Sequence, residues 1–252
     1  MSAIAAINAE RIKLSTIRSP LWSGIAAAVC SLGIAALQGG TAYGAGSLSP
    51  ERAVIGVAIF GVPVLMVLAA MTVTGEYRSG MIRATFIANP SRTTVLAAKA
   101  VVAVVFSGVY TMLFTIAALV VARLSSDPLV GAGLSLADGG VWRLVLAMAL
   151  YAALAAVLGV GVGALLRHTA GAVALLLLWP LVVEPILANL PDVGPTVGPY
   201  LPFGNVFAFT GVQWLYPTYD MPWGSFGSLV YFVLFVGIVF GGAVLVLNRR
   251  DA

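Results

Sequence analysis

The chain has 252 residues, of which 61% are hydrophobic and only 9% charged, with a net charge of +4. A soluble domain carries roughly a quarter charged residues, so 13 Lys/Arg and 9 Asp/Glu are too few to clothe a water-facing surface of this size. The composition indicates an all-α integral membrane protein, and its lone cysteine (Cys30) and lone histidine (His168) offer no disulfide, zinc or haem set. The only lysines, Lys13 and Lys99, follow Ile12 and Ala98 rather than glycine, so there is no phosphate-binding loop. No catalytic residue, metal site or directly bound cofactor is therefore expected, and nothing points to nucleic acid.

In chain order, residues 1–19 place Ile4, Ile7, Leu14 and Ile17 on one broad helical face closed by Pro20. They predict an amphipathic interfacial helix, on which Arg11 and Arg18 would have to snorkel. No cleavage site precedes Cys30, so the first apolar segment is expected to be retained as a span. A bilayer core of about 30 Å needs roughly 20 apolar residues per helix. Six segments meet that need: 20–37, 53–73, 95–122, 141–166, 170–188 and 226–247. Their continuous apolar character is unlike the short alternating strands of a membrane barrel.

Between the second and third spans, residues 75–92 are the most charged stretch, and Ile82 and Phe86 stand at i, i+4. This predicts a short helix ended by Asn89-Pro90, with Ser91, Thr93 or Thr94 capping the third span. Residues 123–140 read as a small Gly/Ser/Asp loop. Residues 189–225 hold Pro191, Pro195, Pro199, Pro202, Pro217 and Pro222 among many aromatics, with no lysine or arginine. That segment is too apolar for a solvated loop and too broken for a span, and is expected as short helices or turns at the membrane boundary.

Lysine and arginine divide 10 to 3 between the two sides, the larger share lying with both chain ends. Both termini are therefore expected in the cytoplasm, and the short loops suit a bacterial plasma membrane. The whole chain forms one transmembrane domain without internal repeats.

Glu76-Tyr77-Arg78-Ser79-Gly80 at the end of the second span, followed by a short helix, Asn89-Pro90-Ser91-Arg92 and Lys99, resembles permease subunits of type-2 ATP-binding-cassette (ABC) exporters. The likeness extends to the six-span plan, the interfacial helix and the broken segment containing Leu201-Pro202-Phe203. It implies a separate ABC ATPase that holds ATP and Mg, and a second six-span permease, identical or related. It also implies that residues 75–92 form the coupling helix, with Glu76, Arg78, Ile82, Arg83, Phe86 and Arg92 meeting the ATPase. Efflux of an apolar or amphipathic, drug-like or lipid-like substrate follows as the expected function.

Ile82 and Phe86 read either as an apolar knob for that partner or as side chains packed on lipid headgroups. Glu76 has Arg83 at i+7 and Lys99 across the turn as candidate ion-pair partners. Glu184, flanked by Pro180 and Pro185, is the one acidic residue inside a predicted span. It suggests a substrate route or proton coupling, and hence an alternative proton-driven secondary transporter, or else an interhelical hydrogen bond. Tyr110 and Tyr151 fall within spans and suit either a pathway lining or core hydrogen bonding. Gly159 and Gly163 suit close helix packing. His168 reads as a topology residue, Cys30 as a small packing residue.

Overall fold

A computed structural model describes residues 3–16, 18–42, 47–217 and 219–249. All regular structure among them is helical. α1 (Ala3–Thr16) precedes α2 (Arg18–Gly40), the one-turn α3 (Pro50–Ala53) and α4 (Val62–Ser79). After α4 come the short α5 (Met81–Ala88), the long α6 (Arg92–Ser125), α7 (Gly139–Leu166) and α8 (Thr169–Leu178). The short α9 (Glu184–Asn189), α10 (Gly194–Val197) and α11 (Pro202–Thr210) lead to α12 (Gly224–Arg249).

Among the described residues, six stretches are long and apolar enough to cross a membrane: Leu21–Gly40, Val57–Ser79, Arg92–Ser125, Gly139–Leu166, Thr169–Asn189 and Gly224–Arg249. The helices overrun several boundaries drawn from sequence. The second span continues as helix to Ser79, so Glu76 and Arg78 belong to α4 and only Met81–Ala88 form the short helix. Ile17, the last member of the expected apolar stripe, lies outside the described residues.

The second and fourth spans form the centre, with 67% of their apolar windows buried against 17–28% for the other four. α7 packs on α4, α6 and α12, while α2 rests on α6 and α8 on α4. Small residues allow this closeness. A Cβ on Gly159 would strike the Met66 carbonyl, and one on Gly163 would stand 2.7 Å from the Ala70 carbonyl, so α7 and α4 touch backbone to backbone. The packing reading of these glycines matches that geometry.

Two spans contain a π-helical turn, and each ends immediately before a proline. Val62 N–H donates to Val57 O ahead of Pro63, and Glu184 N–H donates to Trp179 O ahead of Pro185. A proline ring crowds the carbonyl four residues back, and the wider turn relieves that crowding. Beyond Glu184 the chain is split into the short helices α9 to α11, as the prolines of 189–225 suggest.

The apolar stripe expected on α1 meets the protein only in part: Ile4 is 73% exposed, Ile7 and Leu14 are half-buried, and the fully inward side chains are Ala6 and Glu10. The reason is electrostatic: Glu10 reaches a buried lysine. Cys30 also departs from its expected packing role and is exposed on α2.

Candidate functional site

The chemistry-bearing residues gather at the end of the bundle that holds α1 and α5, the basic end. α4 stops at Gly80, whose φ of 73° is the left-handed conformation that favours glycine, and its N–H donates to Tyr77 O. The turn starts α5 at once. That helix ends at Asn89, which precedes Pro90, and Ser91 Oγ accepts from Thr94 N–H to cap α6.

The inner face of α5 is Ile82, Thr85 and Phe86. Ile82 is only 5% exposed, and Phe86 is half-buried against the cluster of Val73, Leu96 and Leu247, with the Arg92 guanidinium 5.3 Å from its ring centre. Arg92 Nη1 also donates to Leu247 O at 2.8 Å, tying this corner to α12. The apolar pair singled out by its i, i+4 spacing therefore faces the protein's own core and corrects the expectation of an outward knob. The outward face is Met81, Arg83, Ala84 and Ile87, the last 83% exposed. Spacing alone identifies a common face but not its direction.

Behind α5 lies a closed ring of four charges from three helices. Lys99 Nζ donates to Glu76 Oε1 at 2.6 Å and to Glu10 Oε2 at 2.8 Å. Lys13 Nζ donates to Glu76 Oε1 at 2.7 Å and to Glu10 Oε1 at 2.8 Å. Lys99 also reaches Thr72 O at 3.1 Å, and Thr85 Oγ1 donates to Glu76 Oε2 at 3.2 Å. Glu10, Glu76 and Lys99 are all buried, and only Lys13 is partly open. Burial on its own lowers the Lys13 pKa, but hydrogen bonds and attraction from Glu10 and Glu76 outweigh it and hold the amine above its ordinary 10.5.

Of the two candidate partners, Glu76 pairs with Lys99 and not, among the described residues, with Arg83, and it gains Lys13 as well; removal of one partner would leave a buried charge uncompensated. Glu10 and Lys13 were absent from the candidate residues. Their signal was Glu10 as the single acidic residue of α1, three positions before a lysine. Arg78 is exposed and lines a cleft beside the ring together with Met81 of the outward face of α5.

At the opposite end, Glu184 is fully buried and its carboxylate is enclosed by donors. Oε2 accepts from Phe203 N–H at 2.9 Å and Gly204 N–H at 3.2 Å, the first turn of α11, and Oε1 accepts from Trp179 Nε1 at 2.8 Å. Tyr216 donates to Pro180 O at 2.8 Å and lies 3.4 Å from Glu184 Oε2. Burial, and then the neighbouring Glu184, hold the Tyr216 phenol well above the ordinary tyrosine range, so it stays protonated. Glu184 is thus an anchor for the segment between the fifth and sixth spans. The hydrogen-bond alternative raised by its position describes this geometry, and a residue so enclosed does not line an open route.

Tyr151 is 1% exposed and meets Phe207 and Phe232 edge-on, so it is core and no pathway lining. Tyr110 is half-buried between Phe106 and Phe114, and its hydroxyl occupies the space a Cβ on Gly24 would need. His168 caps α8, with Nδ1 accepting from Gly171 N–H at 3.1 Å.

No curated protein matches the chain significantly. Residues 6–182, which include the charge ring, α5 and the first four spans, match the family described as ABC-2 family transporter protein. With six membrane-length helices and a match over more than half its length, the chain belongs to the ABC-2 transporter family and is the membrane component of an ABC transporter.

Proposed function

We propose that the chain is the permease subunit of an ABC exporter, working as a pair of six-span subunits, identical or related, with separate ATPase subunits. The basic end lies in the cytoplasm of a bacterial cell, a reading supported by the 10 to 3 division of Lys and Arg. The ATPase supplies ATP and Mg, and its closure on ATP pushes α5. The cargo is an apolar or amphipathic molecule, in keeping with spans that carry few charges.

The observation that carries this reading is the two-sided character of α5. Its outer face offers Met81, Arg83, Ala84 and Ile87 to a partner, and its inner face is fastened to the bundle through Ile82, Phe86 and the Thr85 to Glu76 hydrogen bond. A force on the outer face passes through Glu76 to Lys99 and Glu10, and so to α4, α6 and α1 together. Such a lever shifts an equilibrium between packed arrangements, biased by the differential affinity of the ATPase for ATP. The proton-driven alternative through Glu184 has no comparable support, because that carboxylate is occupied in holding α11.

The test is co-expression with the ATPase subunits of the same source, followed by co-purification in mild detergent and an ATPase assay. A Walker-A-bearing subunit in near-equal amount is expected. Ile87→Asp should reduce its recovery at least about tenfold without lowering the permease's unfolding midpoint, since a charge at the centre of an apolar contact costs more than 1.4 kcal/mol. Ile82→Asp should instead lower the midpoint, because its side chain is buried. A well-folded permease that takes up no ATPase, or whose ATPase tolerates Ile87→Asp, would overturn the reading.

A further inference from the structure

A cleft of about 330 Å³ opens beside the charge ring, between α1, α4 and α6. Its inner walls are apolar, with Leu65 and Leu68 from α4 facing Val102 and Phe106 from α6. Its mouth is polar and holds Lys13 and Arg78. The polar and apolar parts are thus separated along the membrane normal. From Arg78 to Leu65 the α4 axis rises about 20 Å, comparable to the roughly 15 Å depth of one leaflet's hydrocarbon.

The charges at the mouth decide what head group fits. Glu10 and Glu76 also line the cleft, but each is neutralised by ion pairs to both lysines. Arg78 has no ion pair among the described residues, so the mouth carries one cation in excess. The volume is too small for a whole two-chain lipid and suits one acyl chain, leaving the phosphate at the mouth. An aqueous anion would gain nothing from the apolar walls behind it.

We propose that this cleft binds an anionic phospholipid from the leaflet at the basic end, its phosphate on Arg78 and the open side of Lys13, and one acyl chain between α4 and α6. The bound lipid fills the wedge over which α1 is pinned to α4 and α6, and so stiffens the joint behind α5. This assignment does not depend on the identity of the ATPase or of the cargo.

The two sides of the site are separable by substitution. Gly75 lines the cleft, and a Cβ built on it meets no atom within 4 Å, so Gly75→Leu starts into open space and projects its side chain toward the slot. Arg78 is exposed, so Arg78→Gln removes the excess charge without touching the core.

The full chain is reconstituted into vesicles of equimolar phosphatidylglycerol and phosphatidylcholine and re-extracted in mild detergent. Mass spectrometry of the lipid retained through gel filtration gives the ratio of the two. Phosphatidylglycerol should be enriched about fivefold or more, the effect of one basic side chain near an anionic head group. Arg78→Gln should return the ratio to that of the vesicles at the parent unfolding midpoint, and Gly75→Leu should remove the retained lipid with a midpoint no lower than the parent's. Excess inorganic phosphate should not displace the lipid. Retention in the bulk ratio, an enrichment unchanged in both variants, or displacement by phosphate would each overturn the proposal. The readout is lipid and not ATPase, so its failure is distinguishable from failure of the exporter reading.

Discussion

Lys99 and Glu76 meet at 2.6 Å in the interior of the basic end, and the lysine is 3% exposed. The pair joins α6 to α4, and Glu10 and Lys13 extend it to α1. Taking charges out of water is costly, so such a ring holds only while it is complete.

Lys99→Met should therefore cost about 3 kcal/mol, since two buried carboxylates would be left with Lys13 alone. Adding Glu10→Gln should recover part of the loss by restoring the balance of one acid to one base. Unfolding midpoints of the two single variants and the double variant give the coupling directly. Strictly additive losses would mean that the four charges do not act as one unit.

The ring also sets a response to alkali. Lys13 is held above 10.5 in the folded chain, so its contribution to seating α1 is fully present below the unfolded lysine value and is lost as pH rises through the folded one. A spin label on Ile4→Cys, in a Cys30→Ser background, should report release of α1 only on the alkaline side of 10.5. Release on moderate acidification instead would assign the seating to some other group.

Gly159→Ala should destabilise the bundle by about 1–3 kcal/mol, because the new methyl strikes the Met66 carbonyl on a helix with no room to retreat. Gly75→Ala is the matched control. Its Cβ enters open space, so it should be stabilising by roughly 0.5–1 kcal/mol through helix propensity. Thermal unfolding in detergent distinguishes the two signs.

Glu184→Ala should expose the segment from Leu201 to Trp223 to limited proteolysis, since the buried N–H groups of Phe203 and Gly204 lose their acceptor, at about 1–3 kcal/mol. Glu184→Gln keeps one acceptor oxygen for the Phe203 and Gly204 N–H groups but sets an amide donor against Trp179 Nε1, so it should fall between the parent and Glu184→Ala in proteolysis while retaining transport. A folded Glu184→Gln variant that no longer transports would return the proton-coupled mechanism to first place.

Much of this architecture was legible in the amino-acid order. Charge spacing and apolar length mark six spans, because a helix must remain apolar for the whole thickness of the bilayer and cannot hide a long gap. Local chemistry marks the stop at Asn89-Pro90, the cap at Ser91 and the close packing at Gly159 and Gly163, because each depends on residues within a turn or two. What lay beyond that range was decided by tertiary structure alone. Ile82 and Phe86 share a face of α5 at any orientation, and only the packing of the bundle, which buries Ile82 and seats Phe86 on the cluster containing Val73, Leu96 and Leu247, turns that face inward. Glu10 meets Lys99 across 89 positions, a contact without any local trace in the sequence. Glu184 follows a π turn that rotates everything after it relative to a continuous α-helix, so its meeting with the first turn of α11 was set by the tertiary fold. Periodicity reads a helix from within, whereas its direction and its buried charges are set by the neighbours that close around it.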